Sequence, residues 1–360
     1  MTERFTEATG TSGIGGIEHR GSRSMAALLV PVVGTGAVLA LVPLWLGDSG
    51  VMMGLAVGGL TFAAYAIGFN LIFGSTGQLF LCVGALAGIG GYGAAILADK
   101  AGWPLLIGVI AATLAAGGVG GLLSWVAVRR SLGVIFTGII TLIFSLVFTN
   151  LILGLGSITG GDGGFHVQAG ADTFLRQRIP PYYLMLGVVL AYLVVHGLLR
   201  RSRVGWAFRA LRDDELAAEM TGVNVSRYRV VAASLGAAML GLSGAVNAFT
   251  EGTISPTTYG FSQVDVTVLV MLAFGGIGTL FGPVLGAVVF SVIDELLVDL
   301  GQLRVVVYGA LVIVLFLWIP RGVIPTLADL LKARARSTTI SRPGTTPAPP
   351  SSTAPGRPSP

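Results

Sequence analysis

Apolar stretches of about 20 residues follow one another through most of this 360-residue chain, and few charges fall inside them. Wound as an α-helix, a stretch of that length matches the roughly 30 Å hydrocarbon thickness of a bilayer. Strands of a membrane barrel would be shorter and would alternate apolar with polar positions. Helices are therefore the expected spanning elements, because each satisfies its own backbone without water. With 53% hydrophobic and only 11% charged residues, the chain departs far from a soluble domain. The expected fold class is all-α, a polytopic transmembrane helix bundle of about ten spans with Gly-rich broken helices.

The spans are expected at 26–46, 51–72, 77–98, 104–128, 132–156, 182–199, 229–250, 263–280, 283–300 and 303–319. The first run is long for a signal peptide and lacks a small-residue cleavage site, so it reads as a retained span. Residues 1–24 are polar and Gly-rich and read as a disordered cytoplasmic tail. Residues 25–325 form the transmembrane domain, and 326–360 a second tail that becomes Pro/Ser/Thr-rich. With the N-terminus inside, only Lys100, Arg176, Arg178 and Arg304 of the 22 basic residues fall in outer segments. This asymmetry places both termini in the cytoplasm of a multi-pass cell-membrane (plasma or inner) protein.

Most of the 54 glycines lie inside apolar runs, where small residues let helix backbones approach closely. Two groups, Gly74-Ser75-Thr76-Gly77 and Gly275-Gly276-Ile277-Gly278, interrupt apolar runs without adding charge. They read either as broken helices or as packing sites. A broken helix offers free backbone N–H and C=O groups to a polar solute, which makes Gly74, Gly77, Gln78, Gly275, Gly276 and Gly278 the candidate substrate path. Asp294 and Glu295 lie roughly 17 Å into the ninth span and are expected to face the bundle interior. Asn70, Asn150 and Asn247 read as interhelical hydrogen-bond partners, and His196 as interfacial.

Several classes are excluded. The single Cys82 permits no internal disulfide, and His19, His166 and His196 have no metal-ligand spacing. The basic residues flank spans rather than forming a nucleic-acid surface. Neither lysine, Lys100 nor Lys332, follows a glycine as a phosphate-cradling loop requires. No nucleophile elbow or paired zinc histidines occur either, so no enzyme, cofactor or metal is expected.

The segment between Arg200 and Arg229 contains Asp213-Asp214-Glu215-Leu216-Ala217-Ala218-Glu219-Met220-Thr221-Gly222. Its acidic first turn, helix-forming body and terminal glycine predict a short helix outside the membrane. It is a candidate docking element or a solvated helix lying on anionic lipid. The run from Gly205 to Asn224 resembles the cytoplasmic signature of the branched-chain amino acid ABC permeases, the LivHM family, in its LivM-like form. Asn70-Leu71-Ile72-Phe73-Gly74-Ser75-Thr76-Gly77-Gln78-Leu79 and Gly88-Ile89-Gly90-Gly91-Tyr92 resemble that family's early Gly-rich helices. Thr159-Gly160-Gly161-Asp162-Gly163-Gly164 resembles its external loop. Gly275 to Ala287 resembles its late signature, and Pro320-Arg321-Gly322 also fits. The resemblance covers roughly residues 55–325. One departure follows Leu79, where the family has a small polar residue and then Gly-His or Gly-Gln, whereas this chain has Phe80-Leu81-Cys82-Val83.

The resemblance implies the permease subunit of an ATP-binding-cassette importer for leucine, isoleucine and valine. It implies that Arg212, Asp214, Glu215, Ala217, Ala218 and Gly222 form an ATPase-coupling loop that enters a groove of a separate ATPase subunit, which uses the ATP. A second related permease subunit, an extracytoplasmic solute-binding protein and the lipid bilayer complete the expected partners. A permease for urea or a short-chain amide is the alternative within the family. An ATP-independent secondary transporter or channel is the alternative outside it.

Overall fold

The structure is a computed structural model and describes residues 30–46, 50–168, 177, 179–297 and 322–326, with positions 303, 306, 307, 309, 310, 313 and 317. The expected tails, apart from Thr326, and most of the tenth span lie outside the described residues. The helices that follow the expected spans are α1 (Val30–Trp45), α2 (Gly50–Gly74), α3 (Val83–Asp99), α4 (Leu105–Arg129) and α5 (Val134–Gly154). Next come α6 (Pro180–Arg201), the loop helices α7 (Arg203–Asp213) and α8 (Glu215–Met220), then α9 (Val225–Glu251), α10 (Phe261–Gly275) and α11 (Gly282–Leu296). Among them α2, α4, α5, α6 and α9 are long and apolar enough to cross a membrane. The chain is a multi-pass membrane protein.

Alternating helix directions collect the ends of α2, α4, α6 and α10 at one face with Arg129, Arg130, Arg200, Arg201 and the α7–α8 loop. This is the basic end of the bundle. At the opposite end two short strands, β1 (Phe165–His166) and β2 (Thr253–Ile254), pair antiparallel with Phe165 opposite Ile254. They tie the Gly-rich loop after α5 to the turn after α9.

Helix α9 runs through the centre against α2, α3 and α4. Its buried face is built from Ala233, Gly236, Ala237, Gly241, Gly244 and Ala245. In lipid no water is released when apolar helices associate, so van der Waals contact between closely approaching backbones does the work. The approach is close enough that a methyl on Gly90 would overlap the Gly241 carbonyl, and one on Gly244 would overlap the Ala87 carbonyl. A second apolar core joins α2, α6, α10 and α11 around Tyr182, Leu193, Met271 and Phe290. Helix α5 instead leaves Ile135, Phe136, Ile143 and Val147 exposed, the pattern of a surface against lipid or another membrane subunit.

The third expected span begins later than its hydropathy suggests. Residues 77–82 are non-helical, and α3 starts only at Val83, inside the bundle. At 17 residues, α3 is about 25 Å long. Its first turn is capped by Asp265 from the start of α10, whose Oδ1 accepts the Gly84 N–H at 3.0 Å. The other carboxylate oxygen accepts the Ser145 hydroxyl of α5 at 3.0 Å. Asp265 is 1% exposed. The non-helical segment is stabilised in the same way, with the Leu81 N–H donated to Thr141 Oγ1 at 2.9 Å. Non-helical backbone survives at this depth because protein groups replace the missing water.

Other expectations shift as well. The first interruption lies after Thr76, because α2 widens into a π-helical turn over Asn70–Gly74 and continues to that residue. The second begins at Gly276, so α10 stops at Gly275 rather than at 280. Asn150 is exposed and donates to Leu146 O of its own helix, not to a neighbour. His196 is buried within the bundle. Asp294 and Glu295 are each half-buried.

Two outcomes follow for stability. Gly90→Val is expected to prevent accumulation of folded protein, whereas Gly118→Ala, with nothing within 4 Å of the new methyl, stabilises by about 0.5–1 kcal/mol. Asp265→Leu strands the Ser145 hydroxyl and the first N–H groups of α3, at about 1–3 kcal/mol for each orphaned group. Asp265→Asn retains an acceptor and is milder. Thermal unfolding of the purified variants in detergent, ranked by Tm, tests both.

Candidate functional site

The loop at the basic end is built by successive caps. Ser202 accepts the Gly205 N–H at 3.3 Å and opens α7. Asp214, in extended conformation, ends α7 and opens α8 by accepting the Ala217 N–H on Oδ1 at 3.1 Å. Helix α8 closes at Gly222, whose φ of +83° would strain any other residue. The Val223 N–H returns to Ala218 O at 3.1 Å. Asn224 then caps α9 by accepting the Arg227 N–H. One residue separates α7 from α8, which leaves little slack between them. The short helix expected over 213–222 is therefore the second of two.

Ala218 anchors α8, buried with Leu211 and Val225 in a small apolar cluster. On its free side Leu216 is 74% exposed and Met220 91% exposed. Separated by four residues, they share one face of the helix. Glu215 is held by Arg229 of α9 in a bidentate pair, with Nη1–Oε1 at 2.7 Å and Nη2–Oε2 at 2.9 Å. Such a half-exposed pair adds little stability but fixes orientation.

Arg212, in the last turn of α7, reaches into the bundle. Its Nη1 donates to Gly74 O at 3.0 Å and its Nη2 to Ile277 O at 3.4 Å. The two Gly-rich interruptions therefore meet under the loop. Asn70 joins them directly, donating through Nδ2 to Thr279 O at 2.8 Å and accepting the Gly278 N–H on Oδ1 at 2.7 Å. A cavity of about 250 Å³ lies alongside, lined by Gly74, Ser75, His196, Arg200, Arg212 and Gly278 among others. His196 Nδ1 has no hydrogen-bond partner among the described residues.

Of the candidate path residues, Gly74 and Gly278 come together around Arg212. Gly77 and Gln78 lie beside Arg229 in a smaller gap, and Gln78 is buried with its Oε1 accepting the Ser124 hydroxyl at 3.0 Å. Gly275 packs on the Gly282 backbone and Gly276 on Pro325. Among the described residues no group of three or more His, Cys, Asp or Glu can hold a metal. Sequence reasoning missed Leu216 and Met220, whose signal was an apolar pair four residues apart within a polar loop. It also missed Asp265, a lone carboxylate in an apolar run.

The high-affinity branched-chain amino acid transport system permease protein LivM of Salmonella typhimurium is 29% identical over 303 residues, covering 77% of this chain and 70% of that protein. LivM of Escherichia coli is 29% identical, covering 76% and 70%. The related LivH of Escherichia coli is 26% identical, covering 74% of this chain and 92% of that protein. No solved structure matches. The family profile described as branched-chain amino acid transport system / permease component matches residues 51–317, with the α7–α8 loop, both Gly-rich interruptions and Asp265 inside it, and the chain belongs to that family.

Proposed function

We propose that this chain is the membrane-spanning permease subunit of an ATP-driven importer of branched-chain amino acids and that α8 docks into a groove of a separate ATPase. The observation carrying this reading is the exposed pair Leu216 and Met220 on a helix capped at both ends and held outside the apolar bundle. An amphipathic helix with anchors at i and i+4 is a recurring way to fill a protein groove. Trp206, 69% exposed with Arg209 stacked 4.4 Å from its ring, extends the contact surface on α7.

The basic end faces the cytoplasm in this reading, as the positive-inside rule requires, and both termini lie there. A second related permease packs beside this one, and an extracytoplasmic solute-binding protein delivers substrate at the end that carries β1 and β2. Nucleotide binding belongs to the ATPase in this reading, since no lysine of the sequence follows a glycine as a phosphate-cradling loop requires. The roles of Arg212, Asp214, Glu215, Ala217, Ala218 and Gly222 in coupling belong to the same proposal.

Leu216→Asp with Met220→Asp should insert normally yet lose ATPase co-purification on the order of tenfold or more, as expected for desolvated interface anchors. Unchanged co-purification by a well-expressed double variant would remove α8 from the interface. Gly222→Glu distorts the closing turn, and ATP hydrolysis should then proceed without matching uptake. In proteoliposomes containing the full assembly, radiolabelled leucine should accumulate only with ATP. ATP-dependent uptake of urea alone would change the substrate, and flux without ATP would replace the class.

A further inference from the structure

Movement of α8 has a built route into the bundle. Helix α8 is joined to α7 through Asp214 alone, and the last turn of α7 carries Arg212. The Arg212 guanidinium touches the end of α2 at Gly74 O and the chain just beyond α10 at Ile277 O. Gly74 O sits in the last turns of α2, where carbonyls lack intrahelical partners and the helix dipole is negative, and Ile277 O lies in the non-helical turn that follows α10. The two ends would otherwise present unsatisfied carbonyls to each other at the mouth of the 250 Å³ cavity. A planar guanidinium donates to two acceptors at once, whereas an ammonium is a point donor.

The neighbouring residues fit this clamp. Gly278 must lack a side chain, because a methyl there would collide with the Arg212 guanidinium and lie 2.9 Å from Gly74 O. Asn70 makes the fixed half of the junction, with bonds of 2.7 and 2.8 Å. Arg212 makes the releasable half, since its residue is exposed and its bond to Ile277 O is 3.4 Å. The opposite side of α8 is held to α9 by Glu215 and Arg229, so a push on α8 is resolved between two helices rather than lost in a free loop.

We propose that Arg212 is the positioning residue that transmits displacement of α8 to the ends of α2 and α10, clamping them together in this arrangement and freeing them when α8 moves. The inference rests on the ATPase-docking reading above. The test is the number of ATP molecules hydrolysed per leucine imported by the complete complex in proteoliposomes, for wild type, Arg212→Gln and Arg212→Lys. Arg212→Gln should retain ATP hydrolysis while the ratio of ATP to leucine rises on the order of tenfold, and Arg212→Lys should fall between the two. A purely structural role would lower hydrolysis and uptake together with the ratio unchanged, and that result overturns the proposal. If Arg212→Gln does not accumulate, Arg212→Lys decides alone, a wild-type ratio counting against transmission. Failure of the wild-type complex to import leucine with ATP would instead defeat the docking reading, so the two failures are separable.

Discussion

A peptide group in hydrocarbon has no water to bond with, and the architecture follows from that constraint. Regular helix solves it for most of the chain. Where regular helix stops, a specific side chain supplies the missing partner. Asp265, itself bonded by the Ser145 hydroxyl, receives the start of α3, and Thr141 receives the non-helical segment before it. Asn70 and Arg212 satisfy the ends of α2 and α10. Each break in the helices is thus also a connection between elements far apart in sequence.

The same constraint explains why the bundle is built from glycine and alanine. With lipid as apolar as the helix surfaces, association depends on contact area and not on expelled water. The face of α9 reaches that contact by letting backbones touch at Gly90, Gly241 and Gly244. Larger side chains fill the second core around Tyr182 and Phe290 and cover the outer face of α5. Tight backbone packing thus lies at the centre of the molecule and polar junctions at its basic end.

The α7–α8 loop shows how local signals and long-range contacts combine. Asp214, Gly222 and Asn224 are caps that any helical segment of this sequence would use. The contacts of Arg212 with residues 74 and 277 have no local origin. They exist because α2, α7 and the chain after α10 arrive at one place.

Fold class and the approximate positions of most of the described helices were legible in the sequence, because hydropathy over 20 residues is a local sum that tertiary contacts do not reverse. So were the short loop helix and its terminal glycine, which are set by propensity and capping within a few residues. Hydropathy could not find the start of α3, because residues 77–82 are as apolar as a helix yet are non-helical, with the Leu81 N–H bonded to Thr141 and the cap from Asp265 reaching only Gly84. Nor could it distinguish Asn70, which bridges two segments, from Asn150, which bonds only within α5. The sequence alone determined which segments are apolar enough to form the bundle; only the tertiary structure decided which polar groups meet within it, because a hydrogen-bond partner is chosen by spatial proximity across residues as distant as 70 and 278.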